Sequence, residues 1–408
     1  MNPKITADQA LVRQINTVTV MDTLRLFAPL SRADLSSRTG LNRSTISSIV
    51  ADLIGRNFVR ETTLQDPSIG RPGMSLEFNP MGGCAIGLEI GVDFLSVLLV
   101  NFTAEVLWRE RIEQIRVLPQ AELVEKAAQM VEACLEHAAQ VGLRPLGIGV
   151  GVPGLVDASQ SSLVLAPNLK WQNVPLHEIL SKRFNLPVFV ENEANSAALG
   201  EYFYGAAHGK SDFIYLSTGV GLGGGIMLGG KLFKGSGGYA GEIGHITIYE
   251  NGELCGCGRR GCWETYIGPQ AILRRVRQLL ENSQSPSILY ELANGQLETL
   301  DMKAIVLAAK RADPVTISGL SEVGQHLGAG LANLINIFNP ELVVLGGALS
   351  LVYPWLKNSV QHAINASALS PLVKTVTVRP SQLGLDSCVY GAVAMVLDGV
   401  LRNPLADY

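Results

Sequence analysis

The chain has 408 residues, enough for two or three domains with ample core. It is 47% hydrophobic with 43 glycines, a globular and turn-rich composition. Its start, MNPKITADQA, has no signal-like apolar segment. No apolar run is expected to reach the ~18 residues of a membrane helix, so the reading is no membrane and a cytoplasmic place. Three cysteines cluster in one loop while Cys84, Cys134 and Cys388 are scattered, which suits a reducing compartment. A net charge of −4 argues against non-specific nucleic-acid binding by the whole surface. The first 80 residues nevertheless carry nine Lys/Arg against seven Asp/Glu, and the remainder 23 against 29. The sign of that asymmetry permits a DNA-facing N-terminus.

Leu11 to Phe27 reads as a helix with Leu11, Ile15, Val18 and Leu24 near one face, ended by Pro29. Ser31 and Asp34 stand at capping-box spacing, and Gly40 supplies the stop of the short helix they open. Asn42 caps a third helix in which Ile46, Ile49, Val50 and Leu53 form one buried stripe. Its other face offers Arg43, Ser44, Thr45, Ser47 and Ser48. A helix, a glycine turn and a helix with a polar N-terminal half is the helix-turn-helix plan. Small hydroxyl side chains let such a helix sit deep in the major groove, with Arg43 reaching a guanine edge or a phosphate. The bland alternative is a three-helix interaction domain. Phe58–Glu61 and Met74–Phe78 then read as two strands joined by a Pro/Gly loop, a wing with Arg71 at its tip. An Arg there suits a narrow A·T-rich minor groove, or is an ordinary exposed hairpin residue.

From Gly82 the texture changes to apolar strands separated by glycines and helices, an α/β pattern. Strands are expected at 85–90, 95–101, 146–150, 188–191, 213–217, 226–228 and 342–345. Helices are expected at 121–141 and 316–338, and a C-terminal helix near 389–401 should return to the first lobe. The 218–225 run, TGVGLGGG, follows a strand and could bring backbone N–H groups to a phosphate, or serve tight packing.

Between Gly241 and Glu264 lie His245, Cys255, Cys257 and Cys262. That Cys3His set is the closed tetrahedral environment of structural Zn²⁺, against the bland reading of loop thiols, reduced or in a disulfide. Glu242 and Glu264 flank it without being needed by a metal. Paired carboxylates fixed beside a rigid clamp suit bidentate hydrogen bonding to neighbouring hydroxyls, as on a sugar ring.

GEIGH followed by CxCGxxGCxE resembles the signature of the ROK family, which groups repressors, open reading frames and sugar kinases. The resemblance covers nearly the whole chain and implies a winged helix-turn-helix at 1–80, a segment that the family's plain kinases lack. Behind it comes a two-lobed actin-like (ribonuclease H-like) sugar-kinase fold. Its first lobe would take 81–194 plus 385–408, and its second, with the metal site and an oligomerisation surface, 195–384. By the same resemblance Gly154, Asn192, Glu193, Glu242, His245 and Glu264 hold a monosaccharide in the cleft between lobes, and His245 serves both metal and sugar. Glu191-Asn192-Glu193-Ala194-Asn195 matches the kinase motif ENDAN, whose Asp takes the proton from the attacking hydroxyl. Here that carboxylate stands one methylene further out. Helix capping is the bland reading of both Asn192 and Glu193.

The kinases' first phosphate motif, D-x-G-G-T, reads here as Glu89-Ile90-Gly91-Val92-Asp93. Val92 blocks close backbone approach, and Asp93 sets a negative charge in the phosphate seat. Like charges at ~4 Å and an effective dielectric near 20 repel by about 4 kcal/mol, roughly 1,000-fold in ATP affinity. The resemblance therefore points to a sugar-responsive repressor of the xylose-repressor type. It would be a homodimer, with tetramers left open, on palindromic operator DNA with A/T-rich flanks. The rivals are a sugar kinase with a fused DNA-binding domain and a sugar-blind, protein-titrated DNA binder.

Overall fold

The computed structural model describes residues 9–63, 74–113, 115, 118–157, 162–282 and 285–406. They form two compact units: Met1–Gly151 with Pro175–Val190 and Ala392–Tyr408, and Val152–Val174 with Glu191–Gly391. The first 80 residues thus group with the first unit. The second includes 152–174 and 191–391, where the sequence reading placed 195–384.

The first unit opens with α1 (Gln9–Phe27), α2 (Arg32–Thr39) and α3 (Arg43–Gly55), followed by an antiparallel ribbon of β1 (Val59–Thr63) and β2 (Met74–Phe78). The capping chemistry is as read from sequence. Ser31 and Asp34 form a full capping box, Gly40 closes α2 in the left-handed region at φ 72°, and Asn42 Oδ1 accepts from Thr45 N at 2.8 Å. Ile46, Ile49, Val50 and Leu53 are buried, so α3 shows its polar face outward. Helix α1 corrects the expected stripe: it buries Thr17, Val20, Met21 and Leu24. Leu11 and Ile15 are exposed at 38% and 55%, and Val18 is half-buried. The buried set keeps i, i+3, i+4, i+7 spacing, but starts at a threonine that returns its hydroxyl to the Arg13 carbonyl at 2.8 Å. A hydrophobicity pattern passes over such a residue.

Next come β3 (Cys84–Ile90), β4 (Phe94–Asn101), β5 (Val106–Glu113), α4 (Gln120–Gln140) and β6 (Pro145–Val152). The chain then enters the second unit for a small sheet of β7 (Leu155–Asp157), β8 (Ser162–Ala166) and β9 (Trp171–Val174). It returns through α5 (Leu176–Phe184) to β10 (Val188–Asn192). The first unit's sheet has the order β10-β6-β3-β4-β5, with β3 parallel to β6 and antiparallel to β4. Strands β3 and β4 carry buried residues almost throughout, the continuous apolar run of a sheet covered on both faces.

The second unit begins with α6 (Glu193–Tyr204), β11 (Phe213–Thr218), β12 (Leu222–Leu228) and β13 (Lys231–Leu232). After the glycine-rich loop follow α7 (Glu264–Ile267), α8 (Pro269–Asn282), α9 (Leu289–Leu292), α10 (Met302–Lys310) and α11 (Pro314–Phe338). Its last elements are β14 (Leu342–Gly346), α12 (Gly347–Ser367), α13 (Ser370–Val373) and β15 (Thr377–Pro380). The sheet order is β13-β12-β11-β14-β15, and its core is built with α8, α10, α11 and α12.

Helix α14 (Ser387–Arg402) ends the described fold, and from Ala392 onward it belongs to the first unit. The stretch Gly384–Arg402 is long and apolar enough to cross a membrane, with a mean hydropathy of 1.4. This corrects the expectation that no run reaches that length. Val389, Ala392, Val393, Val396 and Val400 are at most 2% exposed, so the run is spent on the protein core.

Leu53 is fully buried on the face of α3 that packs inward. Leu53→Ala should therefore cost about 2–5 kcal/mol locally. Urea titration with amide exchange should place the loss in α1–α3 while leaving the second unit's protection unchanged.

Candidate functional site

Every residue expected to bind sugar or metal belongs to the second unit. The loop after Ile243 folds back on itself. Ile248 N donates to Gly261 O at 2.9 Å, Trp263 N to Ile246 O at 2.9 Å, and Cys255 N to Arg259 O at 2.8 Å. Gly261 is required here: its φ is +74°, and a Cβ would lie 1.6 Å from the Tyr249 carbonyl oxygen. Trp263 is fully buried beneath the loop and donates Nε1–H to His326 O at 3.0 Å.

This folding brings one ligand atom each from His245, Cys255, Cys257 and Cys262 within 4.8 Å of one another. Cys257 Sγ and Cys262 Sγ are 3.7 Å apart, as are Cys255 Sγ and His245 Nδ1. Ligands at ~2.3 Å (sulfur) and ~2.0 Å (nitrogen) around a tetrahedral ion stand about 3.5–3.8 Å from each other, so the donor set fits a metal ion. The backbone N–H of Arg259 pulls the Cys257 thiol down to about 6, favouring the thiolate a metal needs. Burial raises Cys255 and Cys262.

The carboxylates sit against this cluster. Glu264 Oε1 accepts from Cys255 Sγ at 2.8 Å and lies 3.6 Å from His245 Nδ1. Its other oxygen accepts from Leu222 N at 3.3 Å, tying the cluster to the start of β12. Glu242 is exposed, yet partial desolvation raises its carboxyl and Glu264 adds to the rise, while His245 opposes it. Glu193 is half-buried at the start of α6. Burial pushes it to about 7, and the charge of Glu242 adds to that, while backbone N–H groups of Glu193 and Gly154 pull the other way.

Asn192 is the helix cap that its bland reading foresaw. Its Oδ1 accepts from Ala194 N at 2.8 Å and Asn195 N at 3.2 Å, and Nδ2 donates to Gly154 O at 2.9 Å and Glu193 Oε2 at 2.7 Å. Four bonds exhaust a primary amide. Gly154, at φ +110°, thus contributes its carbonyl to the cap, and a Cβ there would stand 2.2 Å from Leu165 O.

The 218–225 run is packing as much as loop. Gly223, Gly224 and Gly225 are strand residues whose Cβ atoms would meet Ala194 Cβ at 2.9 Å, Ile243 Cδ1 at 2.3 Å and Ala198 Cβ at 2.6 Å. Open space is left only over Gly219 in the turn itself. Thr218 is buried and its hydroxyl accepts from Leu349 N at 3.1 Å. In the first unit, Glu89 is buried and Asp93 exposed. A Cβ on Gly91 would lie 2.4 Å from the Phe94 ring, on which Arg111 stacks at 3.6 Å.

Sequence reasoning missed three residues. Glu191, 6% exposed, forms an ion pair with Lys234 and accepts from Asn192 N at 3.0 Å and Asn195 Nδ2 at 3.1 Å. The pairing spans 43 positions and leaves no local signal. Glu201 is a fully buried acid in a helix that otherwise looks ordinary. At the N-terminus, Arg43, Ser44, Ser47 and Ser48 are exposed and Thr45 is half-buried, with Ser44 Oγ donating to Asn42 Oδ1 at 2.7 Å. Arg71 lies outside the described residues.

The ROK family model matches residues 85–399. The chain belongs to the ROK family. It is 35% identical over 398 residues to the xylose repressor of Caldicellulosiruptor bescii, covering 97% of this chain and 99% of that protein. Among solved structures, a ROK family transcriptional regulator, a homologue of the E. coli Mlc protein, matches with a TM-score of 0.84 at 29% identity, over 97% of this chain and 98% of its own. A ROK family glucokinase from Streptomyces griseus, in complex with glucose and AMPPNP, matches with a TM-score of 0.67 at 33% identity. It covers 77% of this chain and 99% of its own. The α/β fold is therefore the ROK fold, with actin-like, kinase-type neighbours.

Purified full-length protein should carry close to one tightly held metal ion per chain by elemental analysis. Cys262→Ser should lower that content at least tenfold. Gly261→Ala, which leaves all four ligands in place but forbids the turn, should lower it as well.

Proposed function

We propose that this chain is a sugar-responsive, DNA-binding repressor of carbohydrate uptake or catabolism genes that acts in the cytoplasm. The observation that carries the reading is the extent of the match: the xylose repressor spans 97% of the chain, the glucokinase 77%. Helices α2 and α3 with the β1–β2 ribbon act as a winged helix-turn-helix. Arg43, Ser44, Thr45, Ser47 and Ser48 read the major groove, and Arg71 enters the minor groove. Two copies in a homodimer meet the two halves of a palindromic operator spaced by about one helical turn, ~34 Å.

Glu193, Glu242, His245 and Glu264 receive a monosaccharide, with Asn192 and Gly154 fixing Glu193 between them. His245 Nδ1 and the thiolates of Cys255, Cys257 and Cys262 would hold a structural zinc ion, which would brace the loop that carries Glu242 and Glu264. With Nδ1 given to the metal, the other nitrogen of His245 would be left for a sugar hydroxyl.

The chain does not transfer phosphate. Asp93 opposes a triphosphate electrostatically, Val92 keeps backbone away from it, and Phe94 fills the space over Gly91. Three of the glycines that would serve a phosphate loop are taken up by packing against Ala194, Ala198 and Ile243. A coupled ADP-release assay over pentoses, hexoses and amino sugars should stay at background, and turnover near 1 s⁻¹ or above, roughly the lower range for enzymes, would end this reading.

One monosaccharide of the same panel should weaken binding to the DNA upstream of the chain's own operon at least tenfold in a gel shift. A panel with no effect removes the effector role. Because burial raises Glu193 to about 7, and a carboxylate accepts hydroxyl hydrogens more strongly than the neutral acid, sugar affinity should rise between pH 6 and pH 8. Isothermal titration should show that dependence flattened in Glu193→Gln. The same shift gives stability the opposite sign: the folded chain holds a proton that the unfolded chain releases above about 4.5, so this group's contribution falls as pH climbs towards 7.

A further inference from the structure

Helix α6 starts at the candidate sugar site and carries Glu201, which is 0% exposed, in its last turn. Its partners are neutral donors from one stretch of chain and from the end of its own helix. Glu201 accepts from Ala206 N at 2.7 Å, Ser387 Oγ at 2.9 Å, Leu383 N at 3.3 Å, Gln382 N at 3.4 Å and the Ser381 hydroxyl. A desolvated carboxylate is tolerated only when its lone pairs are filled, so these donors define one geometry for α6 and residues 381–387. The two helices also meet backbone to backbone. Ser196 Oγ donates to Cys388 O at 2.9 Å, and a Cβ on Gly391 would lie 1.6 Å from Ser196 O. One on Gly200 would lie 2.2 Å from Ser387 O.

Helix α14 begins at this junction and runs without a break into the first unit. There Ala392 O stands 1.9 Å from a Cβ built on Gly149, and Val396 lies against Gly147. Its far end meets the N-terminal helices. Arg25 Nη1 is 3.7 Å from Asp398 Oδ1, Gln14 Nε2 donates to Asn403 Oδ1 at 3.4 Å, and Arg56 Nη1 donates to Ala406 O at 3.1 Å.

We propose that α14 is the mechanical link through which occupancy at the start of α6 reaches α1 and α3, and that Glu201 latches its near end. The link rests on the effector reading for its purpose, though not for its existence. An α-helix packed without voids transmits displacement, and glycine contacts with no room for a Cβ leave no slack on either side. Glu201 is a positioning residue: it touches no ligand and acts by fixing α6 to α14.

The test uses the full-length chain with Glu201→Gln and, at the far end, the milder Asp398→Asn. Isothermal titration with D-xylose, D-glucose and N-acetyl-D-glucosamine should give both variants affinities within threefold of the parent. Operator affinity without sugar should also stay within threefold. The sugar-induced weakening of operator binding, tenfold or more in the parent, should drop below twofold in each variant. Amide exchange without any ligand supplies a readout independent of the effector: in Glu201→Gln, α14 and α1 should exchange at least fivefold faster. A merely local role confines the change to α6 and 381–387, and that result overturns the link. So does full sugar response in Asp398→Asn, which keeps the proposal testable if Glu201→Gln does not fold. A parent that ignores all three sugars removes the effector reading alone, and the exchange comparison still decides the link.

Discussion

The candidate site depends on how closely α6 approaches β12. Gly223 and Gly225 have no space for a side chain because Ala194 and Ala198 occupy it. The same approach sets the position of Asn192 and Glu193 at the helix start, and brings Glu193 within electrostatic reach of Glu242. A glycine run placed after a strand looks made for phosphate, yet here its strand portion is consumed by interdigitation.

On the other side of β12 the constraint passes through Glu264. One of its oxygens takes the amide of Leu222 and the other meets the sulfur of Cys255. Glu264 thus ties the metal-ligand loop to the sheet, beside the packing of Ile243 on Gly224. Anchored by Trp263 below and by Gly261 in its turn, the loop has few conformations left to lose when an ion binds. Burial raises Glu193 and Glu242 together, and neighbouring acids reinforce it.

Much of this was legible in the sequence where chemistry is local. The Ser31–Asp34 box, the Gly40 stop and the Asn42 cap are each written within four residues, and the structure has all three. The Cys3His cluster was visible because its ligands fall within eighteen positions of one chain segment. The α1 face was misread because its buried stripe includes Thr17, a polar type whose hydroxyl is satisfied by its own helix. Helix α12 went unread since Pro354 sits inside it, where proline ordinarily marks an end. The Glu191–Lys234 pair and the Glu201 latch join residues 43 and up to 186 positions apart, and no periodicity announces a contact of that span.

The saturated amide of Asn192 has a consequence for selectivity. Because its cap already satisfies every donor and acceptor, a molecule that hydrogen-bonds this amide must first displace one of the four partners it holds. On the proposed sugar-binding reading, recognition there would be an exchange of partners, and the broken internal bond would set a threshold against a compound lacking a correctly placed hydroxyl. Discrimination between stereoisomers would then arise from what the resting protein already holds, before any cavity shape is considered.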